Sequence, residues 1–501
     1  MSKFFHTLFL LSITSIFGQN IVLDNSFGNN GILELPFDRL ITNGGGNAKS
    51  IMLENGQILV LQGGQIDGVT KSYLTKINQN GTIDTTFGTN GFIFFNYYTP
   101  YEFSIEIQND NKIIVFGGHN PVKLYRFLEN GQPDLEFGNN GLVLVTNVSN
   151  SYAHDTTSFN GERHNLLLLE NGKILMHYKF SNLSTSGYKL KCFNSDGSPN
   201  ASFGLNSELT KNNSSTSDYI SEFFFESADN KILGYSSNNS SYTFEKLELD
   251  GTKDLAYGTN GINNVTIPFS NFNTYFICKD QYNRFLIQSV YNSLQDSKMI
   301  RIDSTGNIDT SFGINGIISA TFNIQNLILS EPVIFENNYF FGGAILNSNF
   351  DSDDLVILKA NDNGNLNQDF NNNGVYLNNT VNIQDGGGNI HIQNDGKIVI
   401  FGQYNIDENT RKIFIKKYIN QSLNNQSFYT DALYFQNPIS ENLKFTSKKT
   451  IKKIEIFNSF GQKIIESKNT AIISSHFPKG IYLANIEFDD NTFTSKRLIK
   501  N

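Results

Sequence analysis

The chain contains no Trp, only 2 Cys and only 9 Pro among its 501 residues, and 17% of its residues are charged. Two cysteines in a chain of this length exclude a disulfide-stapled scaffold and a cysteine-rich metal module. No metalloprotease H-E-x-x-H, paired-cysteine or nucleophile-elbow G-x-S-x-G motif occurs. The formal charge of −9 argues against nucleic-acid binding, which usually needs a basic surface. We therefore expect no catalytic residue, no metal, no cofactor and no nucleic-acid partner.

Long apolar runs are also missing. No stretch of 18 uninterrupted apolar residues occurs, so no transmembrane helix is expected in the mature chain. The N-terminus nevertheless has the pattern of a secretory signal, because Lys3 precedes an apolar run that ends shortly before Gly18. We predict a signal peptide over residues 1–18 and export through the inner membrane. With 39% hydrophobic residues, the remaining chain has enough apolar material for packed cores.

What the sequence has in abundance is Asn, with 70 residues, and an internal repeat. The string D-x-x-F-G-x-N-G, or a close variant of it, occurs seven times, and successive occurrences begin 50 to 66 residues apart. We number these occurrences as motif copies 1 to 7. They lie at Asp24–Gly31, Asp84–Gly91, Asp134–Gly141, Asn200–Ser207, Asp254–Gly261, Asp309–Gly316 and Asn367–Gly374.

Each copy is followed by short apolar runs separated by tight turns. Asn55-Gly56, Asn171-Gly172 and Asp395-Gly396 each stand between two such runs, which is typical of β-hairpins whose two central residues take positive φ. No segment has a sustained helical period, so this region is predicted to be all-β. Four short strands in each of seven repeats predict a seven-bladed β-propeller over residues 20–422. A β-solenoid with two rungs per repeat is the alternative.

The repeat resembles the delta-60 repeat family of bacterial exported proteins. The resemblance rests on the D-x-x-F-G-x-N-G string and extends over roughly residues 20–422. It implies a propeller-like fold. It implies no particular activity, because the biochemical role of that family is generally unassigned.

The motif is predicted to be structural. Its Asp can close an Asx-turn, its aromatic ring can anchor the turn in a core, and its glycines allow conformations that a Cβ opposes. Copies 4 and 7 begin with Asn, which keeps the turn but lacks the charge that calcium requires. The structural residues are Asp24, Phe27, Gly28, Asp84, Phe87, Gly88, Asp134, Phe137, Gly138, Phe203, Asp254, Tyr257, Asp309, Phe312 and Phe370.

Repeat three departs most from the others. About 30 residues separate its motif from its hairpin turn, against about 20 to 25 elsewhere. Variable loops on a rigid scaffold are where binding residues usually lie, although a solvated surface loop is the alternative. The predicted binding residues in this loop are Tyr152, His154, Asp155, Glu162, Arg163 and His164.

Two further features lie outside the motif. Gly44–Gly46 and Gly386–Gly388 occupy equivalent places in repeats one and seven, which are neighbours in a closed ring. They are interpreted as a close backbone approach at the closure seam, with an anion or sugar site as the alternative. Cys192 and Cys278 lie in different repeats and are predicted to be buried free thiols.

The C-terminal residues differ in charge from the rest of the chain. Residues 431–501 carry 11 Lys and Arg against 7 Asp and Glu, or +4, whereas the preceding 430 residues carry 27 against 40, or −13. We therefore predict a separate domain at 431–501 after a linker at 423–430. Short β-patterned runs predict a small immunoglobulin-like β-sandwich. These runs are Leu443–Phe445, Ile454–Phe457, Lys463–Ile465, Ile481–Leu483 and Arg497–Ile499.

This tail resembles the type A sorting domain of the type IX secretion system of Bacteroidota. The matching elements are Asn437-Pro438, Ile454–Asn458, Phe460–Gln462, Phe477–Tyr482 and Lys496–Lys500. The sequence departs from the family in the residues just before Asn437. The resemblance implies that residues 431–501 engage the type IX machinery, direct passage across the outer membrane and are then removed.

Together these features predict an exported, monomeric, non-catalytic binding propeller that is secreted or anchored at the outer cell surface. Its expected ligand is a glycan or another surface component, such as a protein. A propeller glycoside hydrolase or lyase is the enzymatic alternative, and it needs two carboxylates roughly 5–10 Å apart at positions that break the repeat. A structural surface or matrix component is the third hypothesis.

Overall fold

The computed structural model describes most of the chain, and every structural statement here refers to the residues it describes. These are 20–40, 49–66, 68–95, 103–117, 121–146, 151–152, 166–169, 172–181, 186–212, 223–226, 229–238, 241–269, 272–291, 293–346, 352–378, 385–407, 409–421, 439, 441–447, 449–458, 462–489 and 493–500. They form 38 β-strands and no helix, so the all-β prediction is confirmed. Among them no helix of membrane-spanning length and apolarity occurs.

The chain divides into two compact units, residues 1–420 and 421–501. In the first unit the described strands form seven antiparallel sheets, numbered here in chain order. Three N-terminal strands precede sheet 1, and they are β1 (Asn20–Leu23), β2 (Ile32–Glu34) and β3 (Arg39–Leu40). Sheet 1 contains β4 (Lys49–Met52), β5 (Ile58–Ile66), β6 (Val69–Ile77) and β7 (Phe92–Phe95). Sheet 2 contains β8 (Phe103–Ile107), β9 (Ile113–Gly117), β10 (Val122–Phe127) and β11 (Leu142–Thr146).

Sheets 3 to 6 repeat this order, and sheets 3 and 6 have one extra short strand. Sheet 3 contains β12 (Ser151–Tyr152), β13 (Leu166–Leu168), β14 (Ile174–Ser181), β15 (Ser186–Phe193) and β16 (Glu208–Asn212). Sheet 4 contains β17 (Phe223–Glu226), β18 (Ile232–Asn238), β19 (Ser241–Leu247) and β20 (Ile262–Thr266). Sheet 5 contains β21 (Phe272–Lys279), β22 (Phe285–Tyr291), β23 (Ser293–Ile302) and β24 (Ile317–Ser319). Sheet 6 contains β25 (Leu327–Leu329), β26 (Val333–Phe335), β27 (Asn338–Leu346), β28 (Ser352–Asn361) and β29 (Val375–Asn378).

Sheet 7 joins the two ends of the first unit. Its own strands are β30 (Asp385–Ile392), β31 (Ile398–Asn405) and β32 (Thr410–Gln421). The N-terminal strands complete it, because β1, β2 and β3 all pair with β32 and Leu33 lies opposite Ile415. Each repeat read from the sequence is therefore offset from its sheet by one strand. The strand after a motif copy is the outer strand of the preceding sheet, which the sequence analysis did not predict.

The core of the first unit lies between successive sheets. One cluster of buried apolar side chains joins each sheet to the next, from sheets 1 and 2 through to sheets 6 and 7. A further cluster joins sheet 7 to sheet 1, with Phe401 and Ile415 packed against Val60 and Phe27. Since both faces of a sheet are covered, strands such as β5 begin with a run of consecutive apolar residues, Ile58–Leu61, that are all buried. The result is a closed ring of sheets, which is the packing of a β-propeller.

The hairpin turns differ in one respect from the prediction. Gly56 and Gly396 take positive φ of 76° and 78°, but Asn55 and Asp395 do not, so the expectation that both central residues do so is wrong. The Asn55 side chain instead accepts the Gln57 backbone N–H at 2.9 Å. An Asx-turn followed by one left-handed glycine therefore forms the hairpin.

The second unit is a pair of small sheets. One contains β33 (Asn442–Lys444) and β36 (Ala471–Ile473), and the other contains β34 (Ile451–Asn458), β35 (Lys463–Ser467), β37 (Gly480–Phe488) and β38 (Phe493–Lys500). Both sheets contribute to one core, in which Leu443 and Ile472 pack with Ile456 and Ala484. All five β-patterned runs of the tail overlap these strands.

Candidate functional site

The ring has two different ends. In an antiparallel sheet of four strands, the turn between the first and second strands and the connection between the third and fourth strands leave at the same end. All seven motif copies are third-to-fourth connections, counting β1 and β2 as part of sheet 7. We call this side the motif end. The remaining connections, within and between sheets, leave at the opposite side, which we call the loop end.

The first half of the motif is an Asx-turn in every copy. In copy 2 the Oδ1 atom of Asp84 accepts the Thr86 backbone N–H at 3.0 Å. The six other copies make the same bond at 3.0 to 3.3 Å, including the two that begin with Asn200 and Asn367. This is the role that the sequence analysis predicted for the leading residue.

The second half of the motif has left-handed backbone. Gly88 has φ of 57° and Asn90 has φ of 53°, and the residues at these positions in the other copies all have positive φ. Asn371, which replaces the first glycine in copy 7, has φ of 42°. A Cβ on Gly88 would lie 2.4 Å from the Phe92 carbonyl oxygen, which explains why glycine occupies six of the seven positions.

The carboxylates have a second role that the sequence analysis missed. In five copies the aspartate pairs with a cation on the third strand of its own sheet, at N–O distances between 2.8 and 4.0 Å. The same cation lies over the aromatic ring of the motif, 4.4 to 5.9 Å from its centre. The pairs are Asp24–Lys417, Asp84–Lys76, Asp134–Arg126, Asp254–Lys246 and Asp309–Arg301. Each cation is therefore held between a carboxylate and a π-face.

The copy that begins with Asn200 loses both charges together. The position of the cation is taken by Cys192, and the Asn200 amide donates to its Sγ atom at 3.4 Å. Both cysteines are free and buried, as the sequence analysis predicted. Burial raises the pKa of each thiol, so neither is an activated nucleophile.

Each motif copy also contacts the next sheet. The Gly88 N–H in sheet 1 donates to the Asn130 carbonyl in sheet 2 at 2.8 Å, and a Cβ on Gly131 would lie 2.9 Å from the Phe87 ring. Equivalent backbone bonds of 2.7 to 3.1 Å start from the glycines of copies 1, 3, 4 and 6. Copies 5 and 7 use Asn side chains instead, and the bond of copy 7 goes from Ile21 of β1 to Asn371. The motif therefore links neighbouring sheets around the whole ring.

A Ser–His contact lies where sheet 7 meets sheet 1. His391 of β30 and Ser50 of β4 approach to 2.7 Å between Nε2 and Oγ. The imidazole also packs edge-to-face on Phe401, with ring centres 5.9 Å apart. Burial lowers the pKa of His391 to about 4, because the charged ring would lose its hydration. A neutral histidine therefore closes the seam.

We expect the stability of the ring to fall in mild acid because of His391. Its folded pKa is below the ordinary value of 6.5, so its contribution is complete above pH 6.5 and is lost as the pH falls toward 4. Between pH 7 and pH 5 the loss is about 2 kcal/mol at 1.36 kcal/mol per pKa unit. Urea unfolding followed by circular dichroism should show this loss, and His391→Gln should reduce it. An equal loss in both proteins would contradict the assignment.

The glycine segment of repeat seven packs against the sheet before it. A Cβ on Gly387 would lie 2.5 Å from the Gly343 carbonyl oxygen, and Gly342 approaches Gly388 equally closely. The Gly388 carbonyl also accepts the Ser330 hydroxyl at 3.0 Å. For this segment the close-approach interpretation is correct, and the contact is with sheet 6. The partner segment Gly44–Gly46 lies outside the described residues.

The predicted binding loop leaves from the loop end. It connects β11 to β13 through residues 147–165, which is 19 residues, whereas the six other between-sheet connections have 5 to 10. Tyr152 pairs through its backbone with Lys179 near the loop end of β14. Its side chain, together with His154, Asp155, Glu162, Arg163 and His164, lies outside what the structure describes.

A cleft of about 380 Å³ lies at the motif end between sheets 5 and 6, and Cys278, Asp280, Glu331 and Pro332 line it. The Asp280 carboxylate is already bound by Arg284 Nε at 2.6 Å and by the Tyr282 backbone N–H at 2.8 Å. A carboxylate with these partners is an anchored structural group and a poor proton donor or acceptor. This cleft therefore provides no general acid–base pair.

Comparison with known proteins agrees with this architecture. Residues 434–501 match the model of a secretion system C-terminal sorting domain. Residues 54–87 and 288–312 match a domain of unknown function described as a beta-propeller. The chain is thus an exported propeller-like protein with a type IX sorting tail, which places it at the cell surface or in the medium. Comparison with curated protein sequences finds no relative.

Solved structures share the fold at low similarity. Polysaccharide lyase Uly1 is 9% identical with a TM-score of 0.43, over 75% of this chain and 90% of the lyase. The β-propeller domain of the Trilobed protease from Pyrococcus furiosus is 9% identical with a TM-score of 0.40, over 78% of this chain and 97% of that domain. Trypanosoma rangeli sialidase is 9% identical with a TM-score of 0.36, over 77% and 59% of the two chains. These values carry no inference about activity.

Proposed function

We propose that this exported propeller is a non-catalytic binding protein, and that it recognises a glycan or another surface component through its loop end. The supporting observation is the contrast between the two ends. At the motif end the polar groups of all seven copies are used in bonds within their own sheet or to the next one. The longest departure from the repeat, residues 147–165, leaves from the loop end.

The composition of this connection suits recognition of polar ligands. Arg163, His154 and His164 supply hydrogen-bond donors, Asp155 and Glu162 supply acceptors, and Tyr152 supplies an aromatic face for a sugar ring. A rigid ring that presents such a loop needs no internal movement to bind. In this proposal residues 1–18 are a signal peptide, residues 20–422 form a monomeric seven-bladed propeller, and residues 423–430 link it to the immunoglobulin-like sorting domain.

The test is a glycan-array measurement on the purified full chain. The loop variant replaces His154, Glu162, Arg163 and His164 by Ala. The matched control replaces Leu135 and Leu255 by Ala, because both are exposed at the motif end. We expect dose-dependent binding that the loop variant loses by at least about tenfold and the control keeps.

Two outcomes would contradict this proposal. Binding that the loop variant retains and the control loses would place the site at the motif end. A folded chain that binds nothing on the array would favour a structural role at the surface. Release of reducing or unsaturated sugar ends during the assay would instead support the enzymatic alternative.

A further inference from the structure

The larger sheet of the tail unit has one buried and one open face. On the buried face Ile454, Ile456 and Ala484 pack in the core of the unit. Strand pairing puts Phe457 directly opposite Leu483 and Ile481 directly opposite Ile499 on the other face. These four residues, together with Ile464 beside them on β35, define what we call the tail patch.

The tail patch is more apolar than a solvent-facing strand surface needs to be. Ile481 is 53% exposed, Leu483 is 44% exposed and Ile464 is 41% exposed, while Phe457 and Ile499 are half-buried. Residues that face water on an antiparallel sheet usually alternate as polar side chains. A continuous exposed apolar patch on a soluble domain is typical of a contact surface.

The other half of the same face has ordinary surface chemistry. Lys453 pairs with Glu455 at 3.5 Å and with Glu487 at 3.9 Å, and Lys463 pairs with Glu455 at 3.2 Å. Arg497 stands opposite Leu483 in the strand register, next to the apolar half. The patch is therefore bordered by basic residues, on a tail that carries a net charge of +4.

We propose that the tail patch is the surface by which this chain docks on a receptor of the type IX secretion apparatus, and that the receptor face is apolar with an acidic rim. The inference rests on the sorting role of residues 434–501. Apolar contact supplies the affinity, and the basic border supplies orientation toward an acidic partner. Leu483, at the centre of the patch, is the residue whose loss should matter most.

The test measures export of the full chain from a bacterium that carries the type IX system. Leu483→Lys is compared with Ile473→Lys, which makes the same change at a residue that is 66% exposed on the smaller sheet. We expect Leu483→Lys to reduce the exported fraction by about tenfold or more, and Ile473→Lys to leave it unchanged. Thermal unfolding of both purified proteins checks folding, and Leu483→Thr, which favours a strand, replaces Leu483→Lys if that variant fails to fold.

Three outcomes would overturn the proposal, and they are distinguishable. Wild-type chain that stays in the periplasm would refute the sorting role itself. Export of wild type and Leu483→Lys in equal amounts would refute only the tail patch as its docking surface. A purified chain that is dimeric, and that Leu483→Lys makes monomeric without changing export, would identify the patch as a self-association surface.

Discussion

Replacing Phe87 by Ala is expected to lower the free energy of unfolding of the ring by about 3–5 kcal/mol. The Phe87 side chain is fully buried in the cluster between sheets 1 and 2. Its removal leaves a cavity between two sheets that cannot close, because the Gly131 backbone is fixed against the ring. Urea unfolding measured by circular dichroism is the suitable assay, since the chain has no Trp to report by fluorescence.

Two controls show whether the effect comes from this packing. Phe87→Leu keeps most of the apolar volume and should cost less than half as much as Phe87→Ala. Thr85→Ala changes an exposed residue of the same turn and should stay within about 0.5 kcal/mol of wild type. A Phe87→Ala protein as stable as Thr85→Ala would mean that the aromatic ring does not anchor the motif.

Replacing Arg301 by Met is expected to destabilise the ring by a similar amount, about 3–5 kcal/mol. Arg301 is 1% exposed and its guanidinium joins two sheets. It donates to Asp309 Oδ2 at 2.8 Å in sheet 5, and to the Tyr339 hydroxyl and the Asp362 carboxylate, both at 3.2 Å, in sheet 6. Met fills the space but leaves these acceptors without their donor.

Arg301→Lys is the matched control for the charge. Three other sheets have Lys at this position, Lys76, Lys246 and Lys417, and each lies over its motif ring. We expect Arg301→Lys to cost about 1–2 kcal/mol, because one carboxylate contact remains while the planar fork to sheet 6 is lost. Equal stability of Arg301→Met and wild type would show that the charge network contributes nothing.

The pH dependence of this network is opposite in origin to that of His391. Burial alone raises the pKa of Asp309, but the hydrogen bonds from Ser311 and the charge of Arg301 outweigh it, so that the pKa is lowered. A lowered carboxyl pKa stabilises the fold above about pH 4 and is lost only at lower pH. Acid unfolding should therefore proceed in two ranges, with His391 acting above pH 4 and the motif aspartates below it.

Local features of the repeat could be predicted from the sequence. The Asx-turn at Asp84 and the left-handed backbone at Asn371 depend on neighbouring residues only, so the residue types are sufficient. Even the substitution of Asn for Asp at Asn200 could be interpreted correctly as keeping the turn. The same holds for the strands of the tail, whose alternation of apolar and polar residues survives in the structure.

Features that join distant parts of the chain could not be predicted in this way. The cation that pairs with Asp84 lies eight residues earlier, at Lys76, and the sequence alone gives no reason to connect the two. Aligning the copies at that position would have given the signal, since Arg126, Lys246, Arg301 and Lys359 recur there. The pairing of β1 with β32 depends on ring closure, which brings together strands almost 400 residues apart.

The candidate site divides in the same manner. The length of the connection between β11 and β13 identifies repeat three from the sequence, and the structure assigns its two ends to the loop end of the ring. The tail patch was not predicted, because Leu483 and Phe457 look like core residues until the strand register places them on the open face. Apolar side chains on both faces of a strand cannot be sorted by alternation alone.

The central claim is that the motif joins neighbouring sheets, and amide hydrogen exchange on two glycine variants tests it most directly. Gly131→Ala and Gly396→Ala place a Cβ at similar positive φ, 80° and 78°, but only the first collides with a neighbouring motif, at 2.7 Å from the Gly88 nitrogen. We predict faster exchange at residues 84–91 of sheet 1 in Gly131→Ala, although the substitution is in sheet 2, and wild-type exchange there in Gly396→Ala. Unchanged protection of residues 84–91 in Gly131→Ala would contradict the claim.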